Sequence, residues 1–544
     1  MWRIISRYFT RAEKLCQAVP PVVWVTVICL FALIVHAPLL WGYFTNYDDG
    51  GQITQFEDVT KQDPSVLKEM LTTNYERKNS NPMYISFFLN WYLTPASYLG
   101  FVVFNLLWLM LTIVIFFRFS RLFLATSKWQ LWSTALFAVH CINADIVAWI
   151  SARCHFGGMP FLLLAFITWD KYLSSVPLKQ KALWYGVSIL CCAAAVINKT
   201  SFVVAVPMLL FFDFYRRRRF SISILLDKVV PAAVIARLVM IPGKVTNFAD
   251  GALKKESFAD QIVNQLPMAI GELGQYFYSL FVPGPTVISV GATMPQVEYY
   301  FGIPPQSEVM ITNFMPITSL AFLLLLFLAS ILIWKKYREP LPLLAFLCIG
   351  LALGPVLGFV KWAVAFGFRY LWIPTVFFSL AVVSVVRLVH VHFHRWGRPL
   401  AVAVLGLYIG WHAVVCFRQC AAYDTTAKYW EYSLSHFPNC KMCAYKLGRA
   451  QFEAHPMAAV KAYWIEQEIE TCGKNDHRNK GIRLPRALKA MGEDQKAALF
   501  YERALIWDNL GAGRRKEARK FLEKHPITEE TRQAFEKARS PWGW

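Results

Sequence analysis

Residues 313–360 read NFMPITSLAFLLLLFLASILIWKKYREPLPLLAFLCIGLALGPVLGFV. Two apolar runs flank a short charged patch that holds Lys335, Lys336 and Arg338. Each run has about 20 residues, the length a helix needs to cross roughly 30 Å of hydrocarbon. Lipid offers a backbone no hydrogen-bond partner, so a chain that crosses it closes its own bonds as helix. The same alternation extends in both directions, and apolar runs fall at 20–43, 95–117, 129–150, 156–172, 182–197, 201–214, 222–241, 313–334, 341–360, 369–386 and 400–417. The chain therefore reads as an all-α, polytopic membrane protein with about eleven spans.

Composition agrees with that class. Of 544 residues, 56% are hydrophobic and 17% charged, with a mean hydropathy of +0.38. One soluble domain of this length is excluded on those grounds. The net charge of +21 raises nucleic acid as a partner, and the placement of the charge argues against it. Basic clusters sit just outside the apolar runs: Arg3, Arg7, Arg11 and Lys14; Arg118, Arg121 and Lys128; Arg216 to Arg219; Lys335, Lys336 and Arg338; Arg395 and Arg398. That is the positive-inside pattern. With the N-terminus in the cytoplasm, eleven spans put every cluster on the cytoplasmic side and the C-terminus outside. The first run follows a basic segment and lacks a small-residue cleavage site, so it reads as an uncleaved helix.

One apolar block, 266–283, is ambiguous because it contains Gly271, Glu272 and Gly274. A crossing there would move Lys335, Lys336 and Arg338 outside, so it is read as an interfacial or re-entrant helix in a long external loop, 242–312. Asp227, Lys228 and Arg237 make the seventh span weak. A second external loop, 44–94, is acidic, aromatic and too long for a simple connection.

From about Ala421 the chain turns charged and helical, which divides it into a membrane domain, 1–420, and a tail, 421–544. In the tail, 443–452 with 456–470 and 482–491 with 494–507 read as two helix pairs that match at an offset of about 37 residues, close to the tetratricopeptide period. Most cysteines lie in apolar runs, where a thiol behaves as a small hydrophobe. Cys440, Cys443 and Cys472 lie in the tail, and a periplasmic disulfide to Cys472 fits them better than zinc, because the CxxC spacing has no second pair.

The chemistry-bearing string is Asn46-Tyr47-Asp48-Asp49-Gly50-Gly51, directly after the first span and followed by Glu57-Asp58. Adjacent carboxylates at a membrane surface suit a general base on an acceptor hydroxyl, with the neighbour positioning it. The bland alternative is a polar turn leaving the membrane. Arg153, Lys199 and Arg369 stand at the outer ends of spans, where a cation calls for an anionic partner such as a lipid phosphate. For each one alone, a snorkelling or structural role is the rival reading. His140 and Asp145 close the third run near the same surface, and His140 is assigned no proton transfer. No metal-ligand motif is evident, and the aspartates leave room for a divalent cation.

In this pattern the sequence resembles the eukaryotic transmembrane-and-tetratricopeptide-repeat O-mannosyltransferases and their bacterial relatives, members of the GT-C glycosyltransferase superfamily. Tyr47-Asp48-Asp49 with Glu57-Asp58-Val59 resembles the family's first-loop Asp-Asp signature. Leu136 to His140 and Asp145 to Arg153 resemble its third-helix block. Asn198-Lys199 resembles a Ser-Lys-Glu element, and Arg369-Tyr370-Leu371-Trp372-Ile373-Pro374 an Arg-Tyr-Leu-Tyr-Leu-Pro element. Asn143-Ala144-Asp145 stands in place of the usual His-Thr-Glu, Thr200 in place of Glu, and Asn81-Pro82 in place of Arg-Pro. The resemblance implies inverting, single-displacement transfer of a sugar from a polyprenyl-phosphate donor on the outer face of a bacterial inner membrane. Asp48 and Asp49 would supply the base, Asp145 would help orient the acceptor, and Lys199 with Arg369 would hold the donor phosphate, with Arg153 beside them. The acceptor implied is a Ser or Thr hydroxyl of an exported protein, held by the repeats. Three rival readings are a transferase acting on glycolipid or polysaccharide, a transporter or flippase of lipid-linked sugars, and a membrane scaffold whose tail recruits partners.

Overall fold

The computed structural model describes residues 19–45, 49, 53, 57–72, 81–217, 221–239, 258–286, 308–357, 367–392, 397–436, 441–451, 483–506 and 512–538. The secondary structure among these residues is all helical, with no strand. The chain divides into two compact units, one holding the described helices up to Asp424 and the other those from Thr425.

The first unit opens with α1 (Pro21–His36) and a 3₁₀ turn, Ala37–Trp41. Next come α2 (Pro64–Thr72), α3 (Asn81–Leu93), α4 (Tyr98–Ser120) and α5 (Ser127–Val139). Two short helices follow, α6 (Asn143–Ala148) and α7 (Arg153–Gly157), and then α8 (Met159–Ser174) and α9 (Leu178–Asn198). The chain continues through α10 (Ala205–Arg217), α11 (Ile222–Leu226), α12 (Val229–Val239) and α13 (Phe258–Phe281). The unit closes with α14 (Glu308–Tyr337), α15 (Leu341–Leu353), α16 (Trp372–His392) and α17 (Gly397–Ala422).

Among the described residues, seven segments are long and apolar enough to cross a membrane: Pro21–Trp41, Tyr98–Ser120, Ile150–Ser174, Leu178–Asn198, Pro316–Tyr337, Phe368–His392 and Gly397–Ala422. Their outward faces carry large bare apolar side chains, among them Leu107, Leu190, Leu325 and Leu407, the last 76% exposed. Apolar surface of this extent suits a lipid environment and not water.

The other four apolar runs are shorter as helices than the sequence suggests, each for a local reason. The run at 129–150 is broken, because α5 stops at Val139. Asn143 then folds back, and its Nδ2 donates to the carbonyls of Phe137 at 2.6 Å and Ala138 at 3.3 Å, two of the acceptors a helix end leaves open. The run at 201–214 starts as a 3₁₀ turn, Thr200–Val204, before α10. The run at 222–241 breaks between α11 and α12 at Asp227–Lys228. The run at 341–360 is helical over Leu341–Val356.

Lys228 explains the third of these breaks. Its ammonium pairs with Asp213 of α10, lies 4.0 Å from the Trp169 ring centroid, and is buried with both. Trp169 Nε1 donates to the other Asp213 oxygen at 2.8 Å. The polar pair that weakens the span is thus an interior ion pair among α8, α10 and the α11–α12 turn.

Block 266–283 belongs to the apolar helix α13, which is not among the seven. One face of it is buried through Ala269, Glu272, Tyr276, Phe277 and Leu280. Gly274 allows a close pass over Ser319 of α14: a Cβ there would lie 2.4 Å from the Ser319 side chain.

The second unit contains α18 (Thr426–His436), α19 (Lys441–Gln451), α20 (Arg483–Ala490), α21 (Asp494–Ile506), α22 (Ala512–Lys524) and α23 (Glu529–Ala538). Leu484, Ala487 and Leu488 of α20 pack on Ala497, Ala498, Phe500 and Tyr501 of α21, with Ala518 and Phe521 of α22 closing the cluster. Gly492, at φ +78°, makes the turn between α20 and α21, a conformation that favours glycine. The expected helix at 456–470, needed for the first pair, lies outside the described residues.

The buried Asp213–Lys228 pair gives a stability test. Lys228→Met leaves Asp213 charged and unpaired, which destabilises by about 3–5 kcal/mol, whereas Asp213→Leu with Lys228→Met removes both charges and regains most of it. Thermal unfolding in detergent measures both. Equal melting temperatures for the single and the double variant contradict the pairing.

Candidate functional site

Between α5 and α8 the chain makes no long helix, and yet every residue from His140 to Pro160 is buried. An irregular backbone in the interior must find partners for its polar groups. The carbonyls of Val147 and Ala148 accept from two α4 side chains, Asn105 Nδ2 at 2.8 Å and Tyr98 Oη at 3.2 Å. Most of the residues singled out from sequence meet on this segment.

Asp49 is fully buried and holds the chain after the Ala37–Trp41 turn to it. Its Oδ1 accepts from the Ser151 amide at 2.9 Å and the Ser151 hydroxyl at 2.6 Å. Its Oδ2 accepts from the Thr45 amide at 3.0 Å and the Thr45 hydroxyl at 3.1 Å. Burial outweighs these four donors and pushes the carboxyl up to about 6. Gly42, just before, passes against Tyr98 and the Tyr423 carbonyl, where a Cβ would lie 2.8 and 3.0 Å away. Asp48 lies outside the described residues, and so do Tyr47, Gly50 and Gly51; Glu57 and Asp58 open a single helical turn, Glu57–Thr60.

Arg153 is 3% exposed and densely bonded. Its Nε donates to Asn105 Oδ1 at 2.9 Å, Nη1 to Ser86 Oγ at 3.1 Å, and Nη2 to Asn90 Oδ1 at 3.0 Å and the Phe101 carbonyl at 3.1 Å. The guanidinium also faces the rings of Phe87, Phe101 and Phe104, the last at 4.5 Å. Four of its five N–H groups are thereby used within the protein. This arginine locks α3 and α4 to α7, and its geometry leaves little to offer a ligand.

Asp145 is likewise buried. It accepts from Thr286 Oγ1 and from Tyr423 Oη, each at 2.7 Å. Gln419 completes the knot by accepting from the Thr286 amide and donating to its carbonyl, both at 3.2 Å. The end of α17 and the chain beyond α13 are tied to α6 through this carboxylate.

Lys199 and Arg369 are held differently from Arg153. Lys199 is an extended residue between α9 and the Thr200 turn, half-buried, and its ammonium has no ion pair or hydrogen bond among the described residues. Gly157 and Gly158 allow this loop to approach: a Cβ would meet Asn198 Oδ1 at 2.6 Å and the Phe202 ring at 2.4 Å, respectively. Arg369 stacks on Trp149 and Tyr370, 5.3 and 4.8 Å from their centroids, and its Nη2 donates to Tyr370 Oη at 3.1 Å. The charges of both cations act on His155. A small cavity opens here, lined by His155, Ser201, Phe202, Arg369, Tyr370 and Trp372 among others.

Two residues that sequence reasoning did not place belong to this neighbourhood. His155 lies one turn beyond Ser151. Glu272 of α13 is 3% exposed, its Oε2 has no hydrogen-bond partner among the described residues, and burial pushes its carboxyl up to about 8. Tyr276, one turn on, feels the charges of both Glu272 and Arg369 and accepts from the Gly367 amide at 3.1 Å. The sequence signal for Glu272 is its standing as the one charge in block 266–283.

The different environments of the cations separate their roles. Arg153→Gln strands Asn105, Asn90 and Ser86, at about 1–3 kcal/mol for each buried group left unpaired. Lys199→Ala strands nothing and changes stability by less than about 1 kcal/mol. Thermal unfolding of the two variants in detergent is the measurement, and equal losses contradict the assignment.

No protein-family model matches the chain, and neither the curated proteins nor the solved structures contain a match to it.

Proposed function

We propose that the protein is a membrane glycosyltransferase that moves a sugar from a polyprenyl-phosphate donor to a hydroxyl acceptor on the outer face of the membrane. The observation that carries this reading is the span of one short segment. Ser151 holds Asp49, and His155, four residues further on, feels the charges of Lys199 and Arg369 and lines one cavity with Arg369. A carboxylate-bearing loop and a cation pair, drawn from residues far apart in sequence, are brought to the two ends of it. Transfer from a lipid phosphate needs such a pairing: a base for the acceptor hydroxyl, and cations for the phosphate that leaves.

In this reading Asp48 is the base and Asp49 the anchor. Asp49 is buried and accepts four hydrogen bonds, which tie its own position to Thr45 and Ser151. Lys199 and Arg369 hold the donor phosphate and stabilise it as leaving group, and the Arg369 guanidinium is oriented by its stacking on Trp149 and Tyr370. Arg153 acts through the helices it locks. Asp145 positions the outer end of α17.

The fuller topology belongs to the same proposal. Eleven crossings, with the short helices α5, α10, α12 and α15 completing the seven long ones, put the acidic loop, Lys199, Arg369 and the tail outside. The disulfide at the buried Cys443 supports that side, because disulfides persist in oxidising compartments. The tail is a degenerate tetratricopeptide-like pair of repeats, and its stacked helices suit a protein acceptor.

Three outcomes test the reading. Asp48→Asn keeps the fold and lowers transfer about 10²–10⁴-fold, the usual range for a general base; Asp58→Asn, farther along the loop, changes it little. Lys199→Ala and Arg369→Ala each weaken use of the lipid-linked donor by about 1.5–3 kcal/mol. A reporter active only outside the cytoplasm, fused after Trp544, is active. Full transfer by Asp48→Asn and Asp49→Asn removes the base from this loop and makes transport the better reading.

A further inference from the structure

The chemistry proposed above leaves unused three side chains where the outer end of α1 meets the last turns of α17: His36, Cys416 and Cys420. All three are buried, and one ligand atom of each lies within 4.8 Å of the other two. Cys416 and Cys420 are four residues apart on one helix, so their thiols share a face. His36 is already oriented. Its Nδ1 lies 2.8 Å from the Ala32 carbonyl, which only accepts, so Nδ1 carries the proton and Nε2 keeps its lone pair. That Nε2 is 3.5 Å from Cys416 Sγ. An imidazole held by a backbone carbonyl on one nitrogen, with the other aimed at two sulfurs, is the arrangement a metal-binding histidine ordinarily has.

We propose that His36, Cys416 and Cys420 form a binding site for a thiophilic d¹⁰ cation, Cu(I) or Zn²⁺. Two sulfurs and one imidazole nitrogen are the donors these ions select, whereas Ca²⁺ and Mg²⁺ take oxygen. Three donors with nothing further to add suit Cu(I). Zn²⁺ with two thiolates and a neutral imidazole is uncharged overall, which favours it in a buried site. In either case each ligating thiol gives up its proton as the metal binds. A second close group, His140, Cys141 and His412, is less suited: His140 Nε2 faces the Leu280 carbonyl and Nδ1 faces the Ile142 amide, so both ring nitrogens are engaged.

The position gives the site a purpose. His36 directly precedes the Ala37–Trp41 turn and Gly42, which lead to Thr45 and Asp49. A metal bridging α1 and α17 clamps the root of the acidic loop to the helix that ends in Gln419 and Tyr423.

The test uses the full chain, reduced and anaerobic in detergent, offered Cu(I) against bathocuproine disulfonate and separately Zn²⁺ against a chromophoric chelator. The proposal expects one equivalent of one ion to be retained and to raise the melting temperature. His36→Gln and the double variant Cys416→Ser/Cys420→Ser lower that affinity by more than about 100-fold, the upper range for losing a mere outer-shell partner. Cys191→Ser/Cys192→Ser, elsewhere in the membrane region, retains it. Cys420→Ser alone, the mildest change, carries the test where the double variant does not fold. Retention of neither ion, or equal retention by the wild type and the ligand variants, overturns the proposal.

Discussion

The Asp49 carboxylate, inside the protein and bonded to both Thr45 and Ser151, constrains everything near it. A buried carboxylate is tolerated only when its lone pairs are met. Meeting them requires the loop after α1 to turn inward at Thr45, and the chain between α6 and α7 to present an amide and a hydroxyl together at Ser151. That second demand is incompatible with a continuous helix there, because a helical amide is already donated four residues back. The break between α6 and α7 follows from it, and Tyr98 and Asn105 from α4 meet carbonyls that this break leaves open.

Arg153 is the counterpart of this anchor, and the charge of Asp49 acts on it. One buried anion and one buried cation, two residues beyond the serine that holds the anion, hold the interrupted segment from both sides. Neither group is free to move without leaving the other unbalanced in a medium that solvates neither. Such rigidity suits a site that must keep a base and two cations in register. The cation side is built differently, since Lys199 has no partner among the described residues and Arg369 is spread over aromatic faces.

The helical class and the presence of apolar helices of membrane-crossing length were legible because both rest on composition and on the order of apolar segments. Span length was less legible. Hydropathy sums over a run and does not register a side chain that caps, and Asn143 and Lys228 end helices by bonds that no apolar average contains. Arg153 shows a related limit: beside Lys199 and Arg369 it looks like a third phosphate ligand, and only the approach of Asn90, Asn105 and Ser86 from α3 and α4 gives it a structural task. Glu272 stood out as the lone charge of its apolar block, but its burial, and the place of His155 beside Arg369 in one cavity, depend on how α13 and α7 pack. His36, Cys416 and Cys420 are separated by most of the membrane unit, and their meeting is a fact of packing alone.

The central claim is that a lipid-linked sugar is cleaved here, not carried. Purified full-length protein in proteoliposomes, given a polyprenyl-phosphate sugar labelled in both sugar and lipid, distinguishes these directly. The account predicts that labelled polyprenyl phosphate appears in step with labelled sugar on a hydroxyl acceptor, one for one. Movement of the intact labelled donor across the bilayer, with the sugar–phosphate bond unbroken, contradicts it.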